Sequence, residues 1–289
     1  MKIENLKFKI IFFGASSYVL PIVEMLKSKF ALERVVTTEK LGSDPLIKFC
    51  IQNKIPYSFV SSKNELLKLV NSKSSIVNAQ LGIVADFGII IPREILDQFT
   101  HGILNIHPSL LPKYRGPTPV QAAILNGDKT TGVTIIKLDE HMDHGPIIEQ
   151  FEEKISNNDT FETLIKRLFE KTSMALEHVI TRYNKDQKAH PQDHSKATFT
   201  KLLKRDDGFV DISYIPPVEK LDRMIKAFYP WPGVWTRLRL SSGGEAKIVK
   251  FLPNKKIQVE GKKQMSYKDF LNGYPNANSH LKAFLVHYV

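Results

Sequence analysis

The chain has 289 residues, of which 42% are hydrophobic and 25% are charged, a composition typical of a folded globular protein. No run approaches the roughly 18 consecutive apolar residues that a membrane-spanning helix needs, and the single cysteine, Cys50, excludes an internal disulfide or a cysteine-rich metal cluster. The charge is uneven, because residues 1–186 have a net charge of +2 and residues 187–289 a net charge of +9, out of a total of +11. A basic final third of this kind indicates contact with a polyanion.

Short apolar runs alternate with helix-like stretches through the first half, a pattern that predicts a parallel α/β sheet. The predicted strands are Phe8–Phe13, Arg34–Thr38, Tyr57–Val60, Leu81–Ala85, Ile103–Ile106 and Val133–Leu138. The predicted helices are Tyr18–Phe30, a helix from Asp44 to about Lys54, Asn64–Val70, Arg93–Gln98, Pro119–Asn126 and Asp159–Tyr183. Asp44 followed by Pro45 predicts an N-cap with proline in the first turn.

The second half is smaller and richer in β-structure. A polar run at residues 184–195 predicts a linker, and a helix is expected at Val218–Ala227. Three strand-like runs follow at Val234–Leu240, Ala246–Leu252 and Lys256–Val259. We therefore expect a catalytic domain over residues 1–186, a linker over 187–207 and a basic C-terminal domain over 208–289.

The loop after the first strand, Gly14–Tyr18, has one glycine where a dinucleotide-binding fingerprint has three. No GxxxxGK[ST] phosphate loop occurs anywhere in the chain. Both observations argue against nucleotide-dependent redox or phosphoryl-transfer chemistry. Because the N-terminal residues run directly into the first strand and the only thiol is unpaired, we expect a cytoplasmic protein without a signal peptide.

The most unusual run of residues is NIHPSLLPKYRG, from Asn105 to Gly116. Asn105 and His107 are two residues apart on a predicted strand, so their side chains point to the same face, and Pro108 ends the strand at the carboxyl edge of the sheet. Asp143 follows the predicted strand Val133–Leu138. If that strand is parallel, its loop reaches the same edge, where open α/β sheets bind ligands.

An amide, an imidazole and a carboxylate in one place suit acyl transfer to an amine. The amide and a protonated imidazole can donate hydrogen bonds to a carbonyl oxygen that becomes negative, and the carboxylate can assist proton transfer. An Asn-x-His pair can also be purely structural. His141 and His144 beside Asp143 could bind zinc, but their spacing in a loop offers no dependable tetrahedral geometry, so we predict no metal.

The run NIHPSLLPKYRG, with GPTPVQAAILNGDKTTGVTIIKLDEHMDHGPII, closely resembles the 10-formyltetrahydrofolate-dependent formyltransferases. The resemblance implies a Rossmann-like α/β fold with an open, mostly parallel sheet, followed by a small, β-rich, OB-like domain. It also implies that Asn105, His107 and Asp143 are catalytic and that 10-formyltetrahydrofolate is the co-substrate. The implied folate-binding residues are Ser109, Leu110, Leu111 and Pro112, together with the backbone of Phe87, Gly88, Ile89 and Ile90.

The C-terminal part resembles the members of that family that act on methionyl-tRNA, in the segments Ala197–Gly208, Phe228–Trp235, Gln258–Ser266 and Asp269–Gly273. This implies initiator methionyl-tRNA as the acceptor. We also expect a monomer that does not bind membranes. The basic residues that the resemblance and the charge together suggest for tRNA contact are Lys113, Arg115, Lys262 and Lys263. The alternatives are a sugar-nucleotide amine N-formyltransferase with the same formyl donor, and a non-catalytic tRNA-binding protein.

Two features depart from that family. The segment Thr38–Pro45 after the second strand is short, whereas the family has a long, basic, glycine-rich loop there. The three strand-like runs of the C-terminal part are fewer than the five strands of the family's barrel. Both concern tRNA binding and not the chemistry.

Overall fold

The computed structural model describes residues 8–39, 44–71, 79–183, 188–241 and 244–275, together with Ala277 and Leu281. Residues 40–43 of the short loop and 184–187 of the predicted linker lie outside this described part. Within it, no helix is long and apolar enough to cross a membrane. The chain forms two compact units. The first comprises Met1–Pro119, Thr131–Lys154 and Ile165–Thr200, and the second comprises Val120–Thr130, Ile155–Leu164 and Lys201–Val289. The domain limits predicted from the sequence stay a prediction.

The first unit is built on a seven-stranded sheet. Its strands are β1 (Lys9–Gly14), β2 (Ala31–Thr37), β3 (Tyr57–Phe59), β4 (Leu81–Ala85), β5 (Ile103–His107), β6 (Thr130–Lys137) and β7 (Ile147–Lys154). Their order in the sheet is β3-β2-β1-β4-β5-β6-β7. The strands from β3 to β5 pair in parallel, and β6 pairs antiparallel to β5. The predicted α/β fold with a mostly parallel sheet is confirmed.

Six helices follow or connect these strands. They are α1 (Leu20–Lys29), α2 (Pro45–Gln52), α3 (Lys63–Asn71), α4 (Arg93–Leu96), α5 (Pro119–Asn126) and α6 (Phe161–Tyr183). The Asp44 carboxylate accepts hydrogen bonds from the backbone N–H groups of Leu46 and Ile47, which confirms the predicted N-cap of α2. A short 3-10 turn at Ser17–Val19 replaces the start of the predicted helix at Tyr18.

Two features of the sheet differ from the prediction. The strand β6 was expected to be parallel, but it runs antiparallel to β5, with Leu104 opposite Lys137 and His107 opposite Thr134. The strand β7 was not predicted, because its sequence IIEQFEEK contains three glutamates and its residues are mostly half-buried or exposed. It lies at the edge of the sheet beside β6, where polar side chains can reach water.

The apolar faces of the central strands bury a core that also fixes the loop after β4. Phe87 and Ile91 are 4% and 6% exposed and belong to a cluster with Phe13, Val84 and Ile95. The rings of Phe13 and Phe87 meet edge to face with their centroids 5.6 Å apart. Both ends of the segment between Phe87 and Ile91 are thus anchored in the core.

The second unit contains a four-stranded antiparallel sheet. Its elements are α7 (Val218–Phe228), β8 (Val234–Arg239), β9 (Ala246–Leu252), β10 (Lys256–Val259), β11 (Met265–Ser266) and α8 (Tyr267–Gly273). The strand order is β11-β10-β9-β8, with antiparallel pairing throughout. The three predicted strands are confirmed, and the two-residue strand β11 was too short to be recognised from its sequence.

Part of the predicted linker pairs with the first unit. His190 and Ile147 exchange two backbone hydrogen bonds of 2.8 and 2.7 Å. The backbone N–H of Arg115 donates to Thr198, and its carbonyl accepts from Thr200. A polar, irregular sequence therefore forms a tethered segment here, because its backbone groups find partners in neighbouring loops.

Candidate active site

Asn105 and His107 lie at the end of β5, on the same face of the sheet as predicted from their spacing. Asn105 is partly exposed and His107 is 4% exposed. The strand β5 includes His107, one residue beyond the predicted end. Both side chains are held by the sheet backbone, which leaves little freedom in their relative position.

Asp143 reaches this pair by a route that differs from the expected one. Because β6 is antiparallel to β5, its last residues lie beside the start of β5, where the N–H of Leu138 donates to the carbonyl of Ile103. The loop after Leu138 must therefore return along the sheet before Asp143 can meet Asn105. Gly145 permits this path, because a Cβ there would overlap the carbonyl oxygen of Lys137.

The Asp143 carboxylate joins the three predicted catalytic side chains. Its Oδ1 accepts a 3.0 Å hydrogen bond from Asn105 Nδ2 and lies 3.5 Å from His107 Nδ1. Its Oδ2 accepts a 2.7 Å hydrogen bond from the backbone N–H of Gly116. The structure thus brings Asn105, His107 and Asp143 together in a part of the molecule that is largely shielded from water.

The hydrogen bonds of His107 assign different roles to its two nitrogens. Nε2 lies 2.9 Å from the carbonyl oxygen of Tyr114. A carbonyl only accepts, so Nε2 must carry a hydrogen. Nδ1 faces the Asp143 carboxylate, and 3.5 Å separates Nδ1 from Oδ1. The ring edge with Nδ1 is therefore the one that can donate to a reacting group beside Asn105.

Gln192 and Arg115 support the loop that contains Asp143. Gln192 Nε2 donates to the carbonyl oxygens of Asp143 and Gly145, at 2.9 and 2.7 Å. Its Oε1 accepts from Arg115 Nη2, which also contacts His194 Nδ1. Burial, the neighbouring His144 and Arg115 lower the pKa of His194, in keeping with an imidazole that accepts from a guanidinium.

The position of Arg115 does not suit the predicted tRNA contact. Its side chain lies inside the first unit, with the residue 4% exposed. Its Nη2 is already bonded to Gln192 and His194, so the guanidinium is occupied within the protein. Lys113 is exposed, and its Nζ lies 4.6 Å from the centre of the Tyr114 ring. Lys262 and Lys263 are exposed in the turn after β10.

The predicted folate-binding segment from Ser109 to Pro112 is tightly held. Ser109 Oγ donates to the carbonyl of Lys113, and the Ser109 carbonyl accepts from Thr134 Oγ1, both at 2.6 Å. The Leu111 N–H donates to Thr134 Oγ1, and its carbonyl accepts from Gln150. Most backbone polar groups of this segment thus have partners within the protein, and it offers a rigid wall rather than free hydrogen-bonding groups.

The segment after β4, unlike Ser109–Pro112, has backbone groups without hydrogen-bond partners in the described part of the chain. Phe87 and Ile91 are buried, whereas Gly88 and Ile90 are exposed, with Ile90 at 62%. Across the described part of the chain, no hydrogen-bond partner is found for the backbone groups of residues 88–90. These groups are therefore free to bind a ligand.

This segment starts at the switch point of the sheet, where the order reverses between β1 and β4. In open α/β sheets that crevice is the usual place for ligands. Ser16 Oγ donates to Asp86 Oδ2 at 2.6 Å, and both residues have positive φ, 64° and 51°. Sequence reasoning missed this pair, although polar residues directly after two central strands are a signal that could have found it.

Asp139, His141 and His144 offer ligand atoms that all lie within 4.8 Å of one another. His144 Nδ1 is already hydrogen bonded to Asp139 Oδ2 at 2.7 Å, and its ring stacks on His194 at 4.0 Å. Asp143 is not a member of this group. The contacts of these three side chains are thus explained by the hydrogen bonds and ring stacking that hold the loop in place.

The fold and this site define a class of transferases, and the chain belongs to the formyl transferase family, whose model matches residues 21–180. Curated proteins with similar sequences include methionyl-tRNA formyltransferases. The protein from Roseiflexus sp. (strain RS-1) is 44% identical over 58% of this chain and 51% of its own length. In that and the other first relatives the chain spans about half of the relative's length. The protein from Treponema denticola is 30% identical over 93% of this chain and 97% of its own length.

Solved structures share the fold at lower identity. A 4-N formyltransferase from Francisella tularensis superposes with a TM-score of 0.65, at 19% identity over 86% of this chain and 98% of that one. An N-formyltransferase from Helicobacter canadensis, in complex with folinic acid and dTDP-3-aminofucose, gives a TM-score of 0.60 at 20% identity, over 87% of this chain and 95% of that one. A phosphoribosylglycinamide formyltransferase from Bacillus halodurans gives 0.52 at 23% identity, over 62% and 97%.

Proposed function

We propose that this protein transfers the formyl group of 10-formyltetrahydrofolate to the α-amino group of initiator methionyl-tRNA, for translation initiation. The observation that supports this most is the convergence of Asn105, His107 and Asp143 in a family member whose curated relatives are methionyl-tRNA formyltransferases. No nucleophilic side chain is needed, because the formyl group is already activated on the donor.

The formyl donor is expected in the crevice at the switch point. The unpartnered backbone groups of Gly88 to Ile90 can bond the pterin ring, and the segment Ser109–Pro112 can form the opposite wall. Folinic acid, present in the Helicobacter canadensis structure, is a folate of similar shape. We expect no metal to be required.

The geometry suits a direct transfer. The acceptor amine attacks the formyl carbon, a C–N bond forms, and the carbonyl oxygen becomes an oxyanion. The second hydrogen of Asn105 Nδ2 and the hydrogen on His107 Nδ1 can stabilise that oxyanion. Asp143 takes the proton from the attacking nitrogen and returns it to N10 of the folate, whose bond to the formyl carbon breaks.

The acceptor is assigned from the relatives and from the charge. The net charge of +9 over residues 187–289 suits attraction to tRNA phosphates, and the exposed Lys262, Lys263 and Lys113 are candidates for contact. A sugar-nucleotide amine is the second candidate, because solved sugar N-formyltransferases share the fold over most of this chain. A non-catalytic tRNA-binding protein is a more remote one.

We further propose a monomer in the cytoplasm. The single cysteine, Cys50, is buried and unpaired, and burial with the nearby Asp44 raises its pKa to about 11. Such a thiol resists oxidation and fits a reducing compartment.

A single-turnover assay tests the function. The protein is mixed with 10-formyltetrahydrofolate and either charged initiator methionyl-tRNA or an amino-sugar nucleotide, with the Asp143→Asn variant as control. Formyl-methionyl-tRNA that disappears in the control supports the proposal. If only the amino-sugar nucleotide is formylated, the proposed acceptor is wrong. If neither acceptor is formylated, the result favours a non-catalytic tRNA-binding protein.

A further inference from the structure

Resting on the proposed function, we propose that Gln192 is a positioning residue for formyl transfer. Gln192 does not touch Asn105 or His107. Its amide instead fixes the backbone on both sides of His144 and so holds the carboxylate of Asp143 against them.

The amide of Gln192 is fully used and can have only one orientation. The residue is 6% exposed, and Nε2 donates both of its hydrogens, to Asp143 O and Gly145 O. Oε1 accepts from the Arg115 guanidinium at 2.7 Å. A flipped amide would place its NH2 against the guanidinium and its oxygen against two carbonyls, so the arrangement is determined by its neighbours.

The backbone of Asp143 needs this support. Its φ is 50°, a left-handed conformation that a residue with a Cβ rarely adopts unless the surroundings impose it. Two carbonyls bonded by one buried amide impose it here. The Asp143 side chain is fixed separately, by the N–H of Gly116 at 2.7 Å.

The same short segment organises the whole site. The carbonyl of Tyr114 holds His107, the side chain of Arg115 holds Gln192, and the N–H of Gly116 holds Asp143. Gln192 is therefore the link through which this segment also controls the backbone of the Asp143 loop.

The chemistry of the site explains why glutamine stands at position 192. A glutamate could accept from Arg115, but it could not donate to two carbonyls. Arg115 is buried and has no carboxylate partner in the described part of the chain, and its Nε also lacks a partner there. The two carbonyls therefore call for an amide, which accepts from Arg115 at one end and donates twice at the other.

The first test compares Gln192→Glu and Gln192→Met with Thr172→Val in steady-state formylation of methionyl-tRNA. Thr172 is buried in α6 and donates to the Leu168 carbonyl, so its variant also loses a buried hydrogen bond, but away from the site. Both Gln192 variants should lose about 100-fold in kcat, as expected for a displaced catalytic group, with KM for both substrates close to wild type. Thr172→Val should keep its kcat.

A double-mutant comparison separates positioning from general loss of structure. In an Asp143→Asn background, Gln192→Met should have no further effect, since it acts through Asp143. An unchanged kcat in the Gln192 variants or fully multiplicative effects would overturn the proposal.

A measurement without turnover keeps this proposal separate from the proposed function. Amide hydrogen exchange in residues 138–146 should be faster in Gln192→Met than in wild type or Thr172→Val. If the wild type formylates neither acceptor, the function is wrong, whereas unchanged exchange in these residues contradicts the role of Gln192.

Discussion

At the scale of single residues, the site depends on which hydrogens remain available. One hydrogen of Asn105 Nδ2 is bonded to Asp143, and His107 Nε2 is bonded to Tyr114. In the proposed mechanism, the remaining hydrogen of the amide and a hydrogen on Nδ1 are the two that a developing oxyanion can use.

Asn105→Ala removes one of those two hydrogen bonds. We expect kcat for formylation to fall about 100- to 1000-fold, the usual loss for one oxyanion donor, while the protein keeps its thermal stability because Asn105 is partly exposed. Rapid-quench measurement of formyl transfer checks this. Retention of most activity would remove Asn105 from the mechanism.

Gly145→Ala tests the path of the Asp143 loop. The added Cβ would meet the carbonyl of Lys137, so backbone must move against backbone. We expect a loss of about 1–3 kcal/mol in the free energy of unfolding together with a loss of turnover. Gly273→Ala at the end of α8 is the control, since a Cβ there meets nothing within 4 Å. Equal stability of the two variants in denaturant titration would contradict this explanation.

The residues proposed for the site differ in how far the sequence reveals them. Asn105 and His107 could be placed together because the side chains of a strand alternate with a period of two. Gln192 could not, because it lies 49 residues after Asp143 in a segment that looks like a polar linker. Its proposed role depends on hydrogen bonds between distant loops, which no local periodicity predicts.

At the scale of secondary structure elements, the edge strand β7 is held by charge. Glu153 of β7 is buried and is bonded by Arg167 at 2.9 Å and by Lys171, both from α6. Burial alone would raise the pKa of Glu153, but the hydrogen bonds from Lys171 and Arg167 outweigh it and hold the pKa below its usual value. The carboxylate therefore helps to fix α6 on this edge of the sheet.

The ion pairs of Glu153 with Arg167 and Lys171 predict how the free energy of unfolding depends on pH. Because the pKa of Glu153 is lower in the folded protein, its stabilisation is present above the ordinary glutamate pKa and is lost as the pH falls below it. Glu153→Gln should reduce the free energy of unfolding by about 1–2 kcal/mol at neutral pH, and by less in acid. Urea titrations at several pH values test this, and a difference that grows toward acid would be the wrong sign.

The parallel strands could be predicted from the sequence, but the strands β6 and β7 at one edge of the sheet could be predicted only in part. The parallel strands β1, β4 and β5 are buried apolar runs, and α2 has a clear N-cap, so the sequence alone locates them. The sequence does not reveal that β6 pairs antiparallel to β5, and the glutamates of β7 made that strand hard to recognise. That single error reversed the expected route of the Asp143 loop without changing its destination.

At the scale of the whole molecule, the charge distribution is the property to test. Lys262→Ala with Lys263→Ala should weaken tRNA binding and lower the slope of log affinity against log salt by about 2, if each lysine neutralises one phosphate. Lys27→Ala with Lys48→Ala removes the same charge from exposed positions of α1 and α2. Filter binding over a range of salt concentrations distinguishes the pairs, and identical slopes would exclude a specific role for the turn after β10.

The segment between Phe87 and Ile91 has a consequence for how this protein can change over time. Amide and carbonyl groups are the same in every residue, so the pterin site proposed for the backbone of residues 88–90 would make no demand on the side chains of Ile89 or Ile90. We expect those two positions to accept many substitutions without loss of the co-substrate, whereas Phe87 and Ile91, buried at either end, cannot vary freely. Retention of the ligand site during evolution would then depend on the backbone conformation of this loop and not on its side chains.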